Sequence, residues 1–129
     1  RDDRLIVSEL PVVQRAVNNY ARTNDKLPTG LEGLTLTGDA KQLVQRNLVK
    51  YKPQTTPIVS TDTYADYGGT TPKVVYRYEL CVTYKKESKD YGKYSNYDSA
   101  YEEDGYASYL SAYSHPAGEV CYKLKTSEY

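Results

Sequence analysis

Two cysteines, one histidine, an acidic cluster and 16 tyrosines are the residues of this 129-residue chain with reactive or binding chemistry to offer. Cys81 and Cys121 carry the only sulfur, since the chain has no Met. Neither lies in a CxxC or a Cys/His cluster, which argues against zinc. A disulfide between them is the better reading, with two buried free thiols as the alternative, and it implies an exported protein. The bond would close a loop of roughly 40 residues, worth on the order of 4 kcal/mol in the chain-entropy model. His115 is followed by Pro116 and reads as a loop residue rather than a general base. The chain contains no GxSxG, Walker A or GxGxxG run, so neither an enzyme nor a cofactor is expected. Asp98, Glu102, Glu103 and Asp104 offer the hard oxygens that calcium needs. Their spacing matches no calcium motif, and a solvated acidic turn is the plainer reading, so no metal is expected.

All the aromatic character is tyrosine: there is no Phe and no Trp. Seven of the rings fall within residues 91–113, at Tyr91, Tyr94, Tyr97, Tyr101, Tyr106, Tyr109 and Tyr113, among Ser, Gly, Asp and Asn. Antibody binding loops favour this mixture, because tyrosine gives large contact area with two side-chain torsions and the small residues give adaptable hydrogen bonds. These seven tyrosines are the expected binding surface, with about half of the rings structural and half exposed. The segment is too polar to be core on this reading. Lys85, Lys86 and Lys89 read as a solvated strand end. Zero net charge argues against nucleic acid, which needs a basic face.

The elements that must hold these groups are legible from periodicity. Residues 2–22 read as a helix with Ile6, Leu10, Val13, Val17 and Tyr20 on one stripe, widened by Leu5, Val12 and Ala16. Asp2 and Asp3 suit its positive end, Pro11 should bend it, and Asn24-Asp25 with Pro28 should stop it. Asp39 reads as the N-cap of a short second helix over 40–50. Residues 53–72 read as a long loop with a short strand at Ile58-Val59. Residues 74–84 and 119–125 alternate as strands, placing Cys81 and Cys121 on the polar faces and Tyr78, Leu80, Val82 and Leu124 on apolar faces that can cover the helix stripe. Residues 106–113 read as a turn or two of helix. Leu, Ile and Val number only 24, a thin core that tyrosine rings must supplement. No apolar run reaches the roughly 18 residues of a membrane span.

Three stretches carry a family likeness. Tyr20-Ala21-Arg22-Thr23-Asn24-Asp25-Lys26-Leu27-Pro28 looks like the end of the pilin helix. Pro28-Thr29 followed by Gly33-Leu34 is similar to the PTxxxGL run of type II secretion major pseudopilins. YELCVTYKKES and HPAGEVCYKL look like the cysteine-bearing strands of pilin-like proteins with a C-terminal disulfide loop. The chain thus resembles the soluble part of a type IV pilin-like protein. The N-terminal peptidase site and apolar half-helix of that family are not in this sequence, and on this reading they precede Arg1.

The resemblance implies an α+β, pilin-like fold in one domain: a helix spine over 1–24, a helix-to-sheet loop region over 25–73, and a sheet with disulfide loop over 74–129. It also implies a mechanical function, as the subunit of a type IV pilus-like surface filament whose tyrosine-rich loop is presented for attachment. The precursor would be anchored in the cytoplasmic membrane only by the absent half-helix. Its partners would be other pilin subunits, through a filament helix face of Leu5, Ile6, Leu10, Val13 and Val17, and a cell or host surface. The first helical turns, near Leu5 and Ile6, are expected to be poorly covered in the monomer. A pseudopilin of a secretion or DNA-uptake machine, or a stand-alone secreted binding domain, are the alternatives.

Overall fold

A computed structural model describes residues 2–54, 56–62, 71–89 and 105–126, with the backbone alone described for 59–62 and 71–73. Helix α1 spans Asp2–Asn24. Ile6, Leu10, Val13 and Val17 are wholly buried along it, and Ala21 and Gln14 join them. The predicted stop holds: Asp25 takes a left-handed backbone at φ 54° and donates its N–H to the Ala21 carbonyl at 2.9 Å. Asp and Asn tolerate that region better than most residues. A 3₁₀ turn at Leu31–Gly33 leads to α2, Gly38–Gln45.

Helix α2 departs from its predicted form at both ends. Thr37, not Asp39, is its N-cap residue, and Asp39 lies in the first turn. The helix stops at Gln45 because Asn47 turns left-handed, at φ 56°, and the next residues enter strand β1, Val49–Pro53. Strand β2, Ile58–Asp62, pairs antiparallel with β3, Thr71–Val75, in a separate two-stranded sheet. The single strand predicted over 74–84 is therefore two, broken at Tyr76: β3 ends at Val75 and β4 runs over Arg77–Tyr84. Strand β5 is Gly118–Lys125.

The main sheet has the order β1-β4-β5, antiparallel throughout. Its inner face carries Tyr78, Leu80, Val82 and Tyr84 from β4 with Tyr122 and Leu124 from β5, all in one core with Ile6, Leu10, Val13 and Val17. The long N-terminal helix thus packs on a small antiparallel sheet as expected. Among the described residues, no helix is long and apolar enough to cross a membrane.

The other face carries the disulfide. Cys81 and Cys121 are bonded and directly opposed in register. Gln54 N–H bonds to Arg77 O and Thr126 N–H to Tyr76 O, each at 2.9 Å. The odd-numbered residues of β4 therefore bond toward β1, and its even-numbered residues toward β5. Cys81 and Cys121 accordingly share no backbone hydrogen bond, and their Cα atoms are 4.0 Å apart, as fits the closer, non-hydrogen-bonded type of antiparallel pair.

One expectation fails. The first turns of α1 are not bare, since Ile6 is fully buried and Leu5 half-buried. Two tertiary clamps close this end. Asp2 pairs with Arg46 at the end of α2 (2.8 Å) and with Lys85 after β4 (3.4 Å). Asp3 accepts the backbone N–H groups of Lys85 (2.8 Å) and Lys86 (3.0 Å). The stripe from Ile6 to Val17 is consequently spent inside this chain and is not a free face for other helices.

Two outcomes follow from these contacts. Reducing the disulfide should lower the melting temperature by roughly 10–20 °C while the β4–β5 pairing persists at room temperature. Scanning calorimetry with and without a phosphine reductant checks this. The hydrogen bond from Arg46, with Lys85 nearby, holds the Asp2 carboxyl below its ordinary value of 3.8. A depressed folded-state pKa adds stability above pH 3.8 that is lost as the pH falls through the folded value. Asp2→Asn should therefore lower the melting temperature at pH 7, and the gap from the parent should close in strong acid and shrink in high salt.

Candidate functional site

Among the described residues, tyrosines tied into the fold differ from those presented to solvent. Tyr78, Tyr84 and Tyr122 carry their rings into the core and Tyr51 packs against it; their hydroxyls, and that of half-buried Tyr76, are tied to named partners. Tyr78 donates to Asn18 Oδ1 at 2.8 Å, and Tyr51 to the Pro28 carbonyl at 2.8 Å. Tyr76 donates to the Asp25 carbonyl at the end of α1. Tyr84 and Tyr122 share a buried hydroxyl–hydroxyl bond at 2.7 Å. Burial pushes the phenols of Tyr51, Tyr78 and Tyr84 well above the ordinary tyrosine value, so they remain protonated donors.

The outer ones belong to the segment that the disulfide closes. Tyr113 is 80% exposed and Tyr109 58% exposed. Tyr106 is half-buried: the Arg77 guanidinium lies 4.5 Å from its ring centre, and Gln54 donates to its hydroxyl at 2.7 Å. Of the seven tyrosines predicted to form a surface, Tyr109 and Tyr113 are thus presented and Tyr106 is partly structural. Tyr91, Tyr94, Tyr97 and Tyr101 lie outside the described residues, as do the possible calcium ligands Asp98, Glu102, Glu103 and Asp104.

The backbone beneath Tyr109 is held by a residue that the sequence reading passed over. Gln14 interrupts the apolar stripe of α1 and is 4% exposed. Its Nε2 donates to the Ser108 carbonyl at 2.9 Å, and its Oε1 accepts the Leu110 N–H at 3.0 Å. A side-chain amide serves a passing chain as a peptide group would. The segment is accordingly not the predicted turn of helix. It bridges to β5 at Ala107, which exchanges backbone bonds with Lys123 and Lys125, each at 2.9 Å. Nor is it wholly outside the core, because Ala107, Leu110 and Ala112 are buried. The alternation of small apolar residues with Ser and Tyr was the available signal.

His115 is a loop residue, as predicted, but a buried one. Its ring stacks on Tyr84 at 3.6 Å between centroids, and its Nδ1 lies 3.1 Å from the Pro116 carbonyl. Its backbone is tied to Ser88 in both directions, with Ser88 N–H on the His115 carbonyl and His115 N–H on Ser88 Oγ. These bonds draw together the two ends of the disulfide-closed segment.

Two other clusters have chemical character. Glu79 places a carboxylate oxygen within 4.8 Å of both sulfurs, but bonded sulfurs offer a metal no thiolate. A cleft of about 520 Å³ is lined by Asp2, Leu5, Asp39, Gln42, Arg46 and Lys85, and its cations are already engaged by Asp2. No family model, curated protein or solved structure matches this chain.

Gln14→Leu should leave the Ser108 carbonyl and the Leu110 N–H unpaired and cost about 2 kcal/mol. Urea unfolding reads that cost. Amide exchange at Leu110 should accelerate, while exchange in β4 follows only the change in global stability.

Proposed function

We propose that this chain is the external domain of a pilin-like filament subunit and that the segment carrying Tyr109 and Tyr113 is its attachment surface. The observation that carries the reading is the disulfide, which joins adjacent strands and makes a closed loop of the segment bearing these exposed rings. A loop closed at its base loses less freedom when it meets a partner, and exposed tyrosines give contact area at low entropic cost. The likeness of residues 20–28 and of the two cysteine-bearing strands to pilins supplies the filament half of the reading. The burial of Ile6, Leu10, Val13 and Val17 constrains it: subunit contacts would lie elsewhere than on this stripe. The subunit would then work outside the cell, its precursor held in the cytoplasmic membrane by a half-helix preceding Arg1. The similarity of Pro28-Thr29 and Gly33-Leu34 to major pseudopilins favours a second reading, a piston part of a secretion machine.

Immunogold electron microscopy of the producing cell, with antibody to this domain, tests the reading. Label along extended surface filaments is the expected result. Label confined to the envelope, with loss of protein export on gene deletion, would favour the piston. Label in the medium alone would favour a stand-alone secreted domain. Tyr109→Ser with Tyr113→Ser should weaken surface attachment by on the order of tenfold or more while filament yield and melting temperature stay near the parent's, since truncating interface tyrosines is costly and exposed changes are not. Unchanged attachment would remove the binding role of these two rings.

A further inference from the structure

Helix α1 turns a line of arginines away from the core. At about 100° of turn per residue, Arg4 and Arg22 return to the same line along the helix, and Arg15 falls about 20° from it. All three are exposed, as are Ser8 and Asn19 beside them. Arg22 is steadied within the helix, its Nη2 donating to Asn19 Oδ1 at 3.3 Å. Ile6, Leu10, Val13, Val17 and Ala21 lie roughly 180–260° round from the line and form the buried side. The acids of the helix also stand apart. Asp2, Asp3 and Glu9 are roughly 100° or more from the line, and Asp2 and Asp3 are engaged by Arg46, Lys85 and Lys86. At about 1.5 Å of rise per residue, the line is about 27 Å long.

The type and spacing of these charges narrow the partner. A guanidinium fork matches planar oxyanions such as carboxylates, which it holds through two parallel hydrogen bonds. Double-stranded DNA carries a charge about every 1.7 Å, or about 16 over this length, far denser than three arginines. A helix that lies on a membrane seats an apolar face in the lipid, and the apolar face of α1 is in the core. An acidic peptide is a flexible coil and must be ordered along the line at a cost in entropy. A polyuronate is a stiff polysaccharide with one carboxylate on each sugar. It presents sparse charges in a row with little ordering to do, and it brings hydroxyls for Ser8 and Asn19 to meet.

We propose that the solvent face of α1, along Arg4, Arg15 and Arg22, is a docking line for an acidic polysaccharide of the polyuronate class. The polymer lies along the helix, with carboxylates on the guanidiniums and hydroxyls against Ser8 and Asn19. The association is charge-assisted and therefore screened by salt. The segment that bears Tyr109 and Tyr113 meets α1 at Gln14, about 80° round the helix from the line. The arginine line is thus a second surface, and the proposal does not depend on the filament reading.

The test titrates the intact oxidised protein with size-fractionated oligogalacturonate at low salt and follows backbone amide shifts by NMR. Shifts should gather on α1 around Arg4, Arg15 and Arg22, and binding should weaken as salt is added. Arg4→Gln with Arg15→Gln and Arg22→Gln should weaken binding by about tenfold or more, the loss expected for three screened surface charges. Its melting temperature should stay near the parent's, because exposed changes cost little. Lys41→Gln with Lys52→Gln and Lys123→Gln removes the same charge from other exposed positions. That variant should lose less than about threefold, since distant charges are screened. The parent should not bind the fully methyl-esterified oligomer, which keeps the sugars and lacks the charge. No binding of oligogalacturonate at low salt, equal binding of its methyl ester, or equal losses in the two triple variants would each overturn the proposal. So would tighter binding of DNA, polyglutamate or phosphatidylglycerol vesicles than of oligogalacturonate.

Discussion

Burying a tyrosine ring obliges the fold to find a partner for its hydroxyl, and this chain has little else to bury. With 24 aliphatic Leu, Ile and Val residues and no Phe, Trp or Met, the interior is completed by phenol rings. Their hydroxyls then become tethers: Tyr78 to the flank of α1, Tyr51 to the chain just beyond it, and Tyr84 to Tyr122 across β4 and β5, with half-buried Tyr76 adding a tether to the helix's C-terminal end. A phenylalanine core of the same area would fill the space without specifying where the helix ends lie. Unpaired buried hydroxyls are costly, so the tethers fix the docking of α1 on the sheet.

The same economy shapes the disulfide-closed segment. It contributes Ala107, Leu110 and Ala112 to the core and then turns larger rings outward. Its backbone is held by Gln14 from the helix, by Ala107 on β5, and by the paired bonds between Ser88 and His115. The covalent bond at its base is an addition to a frame already made by hydrogen bonds.

Both edges of the three-stranded sheet carry lysines on the face away from the helix, Lys50 and Lys52 on β1 and Lys123 and Lys125 on β5, and β1 ends at Pro53. Lysine and proline on an edge discourage pairing with another chain. Two of these lysines, Lys52 and Lys123, also flank Glu79 of the central strand in register, so one set of residues guards the edges and brackets the acid between them. The clamps of Asp2 and Asp3 act similarly at a distance: local helix electrostatics places them at the start of α1, and the fold uses them to join that end to α2 and β4.

The long helix, its stop at Asn24, and the two cysteine strands with opposed faces were determined by the sequence, because each rests on periodicity and turn chemistry that act over a few residues. The pairing of Cys81 with Cys121 was legible for the same reason, since both lay on polar faces of strands. Strand β1 was not: Val49-Lys50-Tyr51-Lys52-Pro53 is short and lysine-rich, and only its pairing with β4 makes it a strand. Gln14 read as an interruption of the stripe, because its partners are about ninety residues away. The burial of His115 and the coverage of Ile6 likewise depend on contacts brought together from distant parts of the chain. Local pattern records which way a side chain faces. What it faces is decided only when the long-range hydrogen bonds and the shared core close, and for the tyrosines of this chain that closure separates a structural ring from a presented one.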